Sequence, residues 1–522
     1  MSSTPLPIIP QPKRAQRFEG PAFNLTADTV ITAPTELHSA AQRLAVRIET
    51  ATHWKLPMLE SSDAANRIEF QMAKASLENN EAYTLKVTAE GVLITATHGS
   101  GAFYGVQSLL QLFPAAIYDA QPRPNIEWPA IAAEIEDAPR FPWRGVMLDS
   151  SRYFQPVDAI KKYIDVLSQH KINVFHWHLV DDQGWRLEIK KYPKLTEIGS
   201  KRPETISGHG TLELGGDGQP IEGFYSQDEV RDLVAYASQR HVHILPEIEM
   251  PGHAQAVVAA YPELGLLDEA KPVSCIWGIH ETLFNTKPAT FDFIKDVLDE
   301  VITLFPFEYL HVGGDEAIKP QWKKDPYTQA HIKALGLKDE DELQSWFIRE
   351  IETFLQTKNR KLVGWDEILE GGLAPGATVM SWRGIEGGIE AARQGNDAIM
   401  CANPYLYFDY SQAETNENEP LAIRDNLSIE KAHSYEPIPA ELNEEQAKHI
   451  IGVQSQLWTE YIATPSRLEY MSFPRICASA EVAWSPRERP DFPHFLNRLC
   501  THLRRLDVQD VRYRAPLEYV KA

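Results

Sequence analysis

Tyr309-Leu310-His311-Val312-Gly313-Gly314-Asp315-Glu316 is a short apolar run that stops at two glycines and then presents two adjacent carboxyls. The run reads as a buried strand. Side chains alternate along a regular strand, so neighbouring acids would face opposite ways. Two glycines free the backbone to turn, and both acids can then serve one cavity. The same dipeptide also suits a solvated loop or a helix N-cap. Whether other strands of the chain end in the same manner decides between these readings.

Seven further runs of this kind occur: 143–149, 172–180, 242–249, 361–366, 378–383, 397–402 and 450–458. Amphipathic stretches predicted as helices follow several of them, at 157–169, 227–239, 291–304, 343–357 and 465–483. Apolar runs alternating with helices imply a parallel βα sheet, and eight in series is the count for a closed barrel. The expected fold class is therefore α/β, a (β/α)8 TIM barrel. Upstream lie predicted strands at 29–33, 67–72, 83–88 and 92–97 and a helix at 102–112, which read as a smaller α+β domain, with a proline-bearing junction at 134–142. The expected division is an N-terminal α+β domain over 1–138 and a barrel over 139–522. The polar stretch 403–446 is predicted to be an extended loop over the barrel mouth.

In such barrels chemistry sits at the C-terminal ends of the strands. Here the first run ends in Asp149 and Arg152, the second in Asp181 and Asp182, the third in Glu247, Glu249 and His253, and the fourth in Asp315 and Glu316. The fifth ends in Trp365 and Asp366, the sixth in Trp382 and Arg383, the seventh leads to Tyr407 and Asp409, and the eighth ends in Trp458 and Glu460. Carboxylates, an arginine and several indoles converging on one mouth suit a sugar, whose hydroxyls need fixed partners while its C–H faces stack on aromatic rings. A phosphate site would instead need glycine-rich backbone nests and cations at the last strand ends.

The 522 residues carry a formal net charge of -22. That balance argues against nucleic acid or an anionic membrane as partner and favours a neutral or cationic ligand. Cys275, Cys401, Cys477 and Cys500 have no paired short spacing, so free buried thiols are expected. No stretch is long and apolar enough to span a bilayer, and the proline-rich start lacks an apolar leader. The reading is cytoplasmic, or periplasmic or secreted if a leader has been removed. His176-Trp177-His178 and His241-Val242-His243 have a spacing with which some metal sites begin, but no third ligand stands out and sugar chemistry needs no Lewis acid. No metal or other cofactor is expected. Trp143, Trp185 and Trp484 read as packing residues.

With these residues in place the chain resembles glycoside hydrolase family 20, the β-N-acetylhexosaminidases, over nearly its whole length. The matching stretches are LDSSRYF from Leu148, HWHLVDDQGWR from His176, GFYS from Gly223, PEIEMPGH from Pro246, HVGGDE from His311, GWDEI from Gly364, SWRG from Ser381 and LWTE from Leu457. The resemblance implies a retaining exo-enzyme acting on terminal N-acetyl-D-glucosamine or N-acetyl-D-galactosamine of an oligosaccharide or glycoconjugate. In that family the substrate's acetamido oxygen is the nucleophile, through an oxazolinium intermediate. Glu316 would be the general acid and base, and Asp315 would orient the acetamido group. Arg152 would grip ring hydroxyls, and Asp181 would pair with His253 to support the acid. Trp365, Trp382 and Trp458 would wall the acetamido pocket, Tyr407 would bond the acetamido carbonyl, and Asp409 and Glu460 would bind outer hydroxyls. Glu249 stands where family members commonly carry Asp, and Tyr153 where many carry His. The competing readings are a catalytically silent glycan-binding barrel and a relative that releases disaccharides.

Overall fold

The computed structural model describes residues 5–75, 77–209, 215–266, 271–413, 419–424 and 426–519. Eight strands close into a barrel: β1 (Trp143–Asp149), β2 (Val174–His178), β3 (His243–Glu247), β4 (Tyr309–His311), β5 (Lys361–Trp365), β6 (Thr378–Ser381), β7 (Ala398–Met400) and β8 (Ile450–Ser455). Every neighbouring pair is parallel, and β8 returns to pair with β1. All eight expected runs are strands of this barrel. Strands such as β1 and β2 are buried at every residue, because helices cover one face and the barrel interior fills the other. That is why they read as largely apolar runs, broken by a few buried polar residues, rather than as regular alternations.

The outer layer forms for the usual reason of helical periodicity. In Val157–Gln169 the buried residues Ile160, Tyr163, Ile164 and Leu167 make one stripe that lies on the barrel. Helix Gln227–Ser238 opens on a capping box between Ser226 and Glu229. The predicted single helix over 465–483 is two, Pro465–Ser472 and Arg475–Trp484. Pro474 explains the break, since its ring forces Phe473 into an extended conformation (φ -105°, ψ 141°).

The N-terminal unit is a seven-stranded mixed sheet in the spatial order 14–17, 133–137, 83–88, 91–96, 67–72, 30–32 and 58–59. Helices His38–Thr52 and Gly99–Leu112 pack together over it. Ala133–Asp137 overlaps the start of the junction predicted at 134–142, yet it is a strand paired along Tyr83–Thr88. Its alternation of Ala133, Ile135 and Asp137 inward with Glu134 and Glu136 outward is a half-buried strand pattern that the acids disguise. Asp137 then anchors this unit to the barrel: Lys171 donates to its Oδ2 at 2.7 Å, Tyr83 at 2.6 Å, and the Trp484 indole to its Oδ1 at 3.0 Å. Beside it, Arg144 of β1 donates to Glu81 through both terminal nitrogens, at 2.7 and 3.0 Å.

Trp143 and Trp185 are buried packing residues, and Trp484 is the interdomain contact just described. Of the four cysteines only Cys401 and Cys477 are buried. Cys275 is half-buried and Cys500 exposed, so the expectation of four buried thiols fails for two of them. Among the described residues no helix is long and apolar enough to cross a membrane. The stretch 403–446, where described, contains the short helices Asn403–Leu406, Ile429–Ser434 and Glu444–Ala447 rather than continuous loop, and residues 414–418 and 425 lie outside the description.

Candidate active site

The barrel register lines up Asp149, His178, Glu247 and His311 as one row at the C-terminal ends of β1 to β4. Equivalent positions share a face, so this row makes a polar floor. Glu247 is its hub: Oε2 is 2.5 Å from His178 Nδ1 and 3.0 Å from His176 Nε2, while Oε1 is 2.8 Å from His311 Nδ1 and accepts the Trp365 indole N–H at 2.8 Å. Burial alone would raise the Glu247 carboxyl, but His311, His178 and His176 hold it well below the usual range. The His176 and His178 pair thus serves a hydrogen-bonded floor. His243, of the other pair, stacks on Phe307 at 4.6 Å, and His241 packs on Phe103.

On that floor stands a chain of charge. Arg152 donates to Asp149 at 3.2 Å and to Gln183 at 2.8 Å, and its second terminal nitrogen is 2.7 Å from Asp181 Oδ2. His178 Nε2 is 3.0 Å from the same Asp181 oxygen. His253 Nδ1 lies 3.1 Å from both Asp181 Oδ1 and Asp182 Oδ2, with hydrogen-bond geometry toward Asp182. The expected Asp181–His253 pair is therefore a triad, because Asp181 is already committed to Arg152 and His178. Burial would lower the His253 pKa, yet Asp181 and Asp182 raise it well above the ordinary imidazole value.

His253 Nε2 faces the two acids after β4, 3.7 Å from Asp315 Oδ2 and 3.6 Å from Glu316 Oε2. Gly313 and Gly314 adopt φ of 67° and 89°, the left-handed turn that brings both acids to one side. A side chain at Gly313 would collide with Glu249, whose carboxylate packs against that turn. Asp315 is buried while the Glu316 side chain keeps 30% of its exposure. Burial, with Glu316 adding and His253 opposing, pushes Asp315 up to about 7. Burial and then Asp315 push Glu249 well above the carboxylate range, and neither Glu249 oxygen has a hydrogen-bond partner among the described residues.

The aromatic residues at the strand ends meet in two pairs. Trp365 and Trp458 meet at 5.9 Å, Trp382 stacks on Tyr407 at 6.0 Å and 26°, and the Arg152 guanidinium lies 5.0 Å from the Trp458 ring centroid. Trp365 is 1% exposed, so it forms the base of the wall. Tyr407 is bridged to Gln456 beside β8, which fixes it at the mouth. Among the described residues, neither buried oxygen of Asp409 has a hydrogen-bond partner, and nor does one oxygen of Glu460. Burial raises both carboxyls, and each would gain from a hydroxyl donor.

A model of the glycosyl hydrolase family 20 catalytic domain matches residues 141–487, and one of that family's domain 2 matches residues 6–138. The chain belongs to glycosyl hydrolase family 20. Among relatives, a beta-hexosaminidase of Porphyromonas gingivalis is 42% identical over 98% of this chain, which spans 64% of that protein's length. A beta-hexosaminidase of Vibrio furnissii is 34% identical over 91% of this chain and 76% of its own. The crystal structure of an exo beta-N-acetylglucosaminidase from Vibrio harveyi in complex with N-acetylglucosamine aligns with a TM-score of 0.84 at 35% identity, covering 98% of this chain and 78% of that one. A beta-N-acetylhexosaminidase from Streptomyces coelicolor aligns equally well, with a TM-score of 0.84 at 30% identity over 98% of both chains.

In this family 20 chain Asp149, Arg152, Asp181, Asp182, Glu247, His253, Asp315 and Glu316 form one chain of close contacts through His178, with Trp365 and Trp458 against it, while Trp382 packs on Tyr407 and Asp366 pairs with Arg383. Sequence reasoning missed Glu247 as hub, Asp182 as partner of His253, Gln183 as partner of Arg152, and Glu367, which accepts the Trp382 indole N–H at 2.9 Å. Glu247 and Asp182 sit in the quoted motifs, but only the register shows which of two neighbouring acids faces the site.

Proposed function

We propose that the chain is a retaining exo-β-N-acetylhexosaminidase that removes terminal N-acetylhexosamine by substrate-assisted catalysis. The observation that carries this reading is the convergence of Asp315 and Glu316 on one His253 nitrogen at a barrel mouth that also gathers Trp365, Trp458, Trp382 and Tyr407. Glycosidases with an enzyme nucleophile need a second carboxyl about 5–5.5 Å across the scissile bond, and family 20 is a recognised exception. Glu316, the more exposed acid, would protonate the glycosidic oxygen and then activate water. Asp315, buried beneath it, would hold the acetamido N–H and stabilise the positive charge that develops as the acetamido oxygen attacks C1. Trp365, Trp382 and Trp458 would enclose that group, and Tyr407 would donate to its carbonyl. Arg152, Asp409 and Glu460 would hold the outer hydroxyls. His253, kept cationic by Asp181 and Asp182, would steady the charges of the acid pair. The names of the relatives support the same substrate class. A neutral N-acetylated sugar also agrees with a chain of net charge -22, which disfavours anionic polymers.

The deciding test is hydrolysis of an aryl N-acetyl-β-glucosaminide with NMR of the first product. Turnover with β-configured product, strong inhibition by a thiazoline mimic of the oxazolinium ion, and inertness toward the matching β-glucoside are expected. Inverted product, or a sugar ester trapped on a protein carboxylate, would overturn the mechanism. Absence of any turnover would favour the silent glycan-binding barrel.

A further inference from the structure

The turns after β5 and β6 are locked together by two neighbouring acids. Asp366 holds the backbone: its Oδ2 accepts from the N–H groups of Trp382 and Arg383 at 3.1 and 3.2 Å, and its Oδ1 from Arg383 Nε at 2.6 Å. Glu367 holds the ring, accepting the Trp382 indole N–H at Oε2, 2.9 Å away. Its side chain is 9% exposed, so water competes little for that bond. An indole fixed at its backbone still turns about two side-chain torsions, and a hydrogen bond at its far edge removes that freedom. The face so fixed is the one stacked on Tyr407.

We propose that Glu367 is a positioning residue that sets the Trp382 wall of the acetamido pocket and thereby determines which N-acyl group the site accepts. This deepens the glycosidase reading above and rests on it. Burial, followed by the neighbouring Asp315 and Asp366, pushes the Glu367 carboxyl up to about 9, so near neutral pH it acts as an uncharged acceptor. An amide of equal length offers the same carbonyl oxygen at the same charge. A carboxyl one methylene shorter does not reach the indole, and an alkyl chain offers it no acceptor. A neutral acid here also leaves Asp315 as the group available to carry negative charge beside the developing oxazolinium.

The test uses the full chain and four proteins: wild type, Glu367→Gln, Glu367→Asp and Glu367→Leu. Each is assayed for kcat and KM on aryl 2-acylamino-2-deoxy-β-glucosides bearing N-acetyl or N-butanoyl groups, with thermal unfolding in parallel. Glu367→Gln is expected to stay within about threefold of wild type in kcat/KM and in acyl preference. Glu367→Asp and Glu367→Leu are expected to lose about tenfold or more on the N-acetyl substrate, the effect of one lost buried hydrogen bond, with the preference for acetyl over butanoyl shrinking by a similar factor. Unchanged acyl preference in Glu367→Asp or Glu367→Leu overturns the proposal. So does a Glu367→Gln loss as deep as that of Glu367→Leu, since charge would then matter rather than the bond. Should Glu367→Leu not fold, the aspartate and glutamine variants still decide. A wild type inert on the N-acetyl substrate fails the glycosidase reading itself, which is a separate outcome.

Discussion

His253 Nε2 stands 3.6 Å from Glu316 Oε2, and both residues hold a left-handed backbone, with φ of 47° and 46°. Neither is glycine, and each such conformation costs on the order of 1 kcal/mol or more, so the surrounding structure must impose it. Gly252 supplies part of that constraint: a Cβ there would come within 3.0 Å of the Asp315 carbonyl oxygen, so the two turns pack backbone to backbone. The strain is stored where the cationic histidine meets the proposed acid.

Glu316→Gln should lose roughly two to four orders of magnitude in rate on substrates with poor leaving groups. Activated aryl glycosides should be spared in the first step, because a good leaving group needs little protonation. Equal losses on both substrate types would remove Glu316 from the acid role.

Arg152→Lys should fail to restore function. Arg152 engages Asp149, Gln183 and Asp181 at once, which a planar fork can do and a single ammonium cannot. We expect kcat/KM to fall by about 10- to 100-fold, with KM raised, as for loss of a charge-assisted bond. A lysine variant with wild-type kinetics would sink this assignment.

Asp315→Asn should show a pH-dependent gain in stability beside its loss of activity. Folding raises the Asp315 pKa from 3.8 to about 7, so its neutral form suits the folded state at low pH and stability is lost as pH rises through that window. The amide does not titrate. Its Tm should therefore exceed that of wild type by more at pH 8 than at pH 4.5. A constant difference would contradict the burial argument.

Lys171→Met tests the joint between the two units. Both Lys171 and Asp137 are fully buried, and removing the cation strands the carboxylate beside Tyr83 and Trp484. Loss of about 3–5 kcal/mol in unfolding free energy is expected. Pairing it with Asp137→Asn should recover much of that, and urea unfolding of the single and double variants provides the check.

The eight barrel strands were legible because helix and interior bury both of their faces, so each survives in sequence as a largely apolar run such as residues 145–148. The acids and indoles at their ends were legible because a barrel gathers strand termini onto one face whatever the intervening length. The strand Ala133–Asp137 was not, since its exposed Glu134 and Glu136 dilute the apolar signal.

By itself the sequence determined the barrel, the smaller unit before it, and which residue types meet at the mouth. Only the tertiary structure decided who touches whom. Asp181 and Asp182 are adjacent in sequence and chemically identical. Yet the first is drawn to Arg152 and His178 while the second takes the His253 hydrogen bond, because the register of β1 to β3 sets the distances. Glu247 became the hub of the floor for the same reason: four ring nitrogens from β2, β4 and β5 lie within 3.0 Å of its carboxylate, two of them in hydrogen bonds, across as many as 118 residues of chain. Pairing over such separations is a property of closed-barrel geometry, and local sequence carries no record of it.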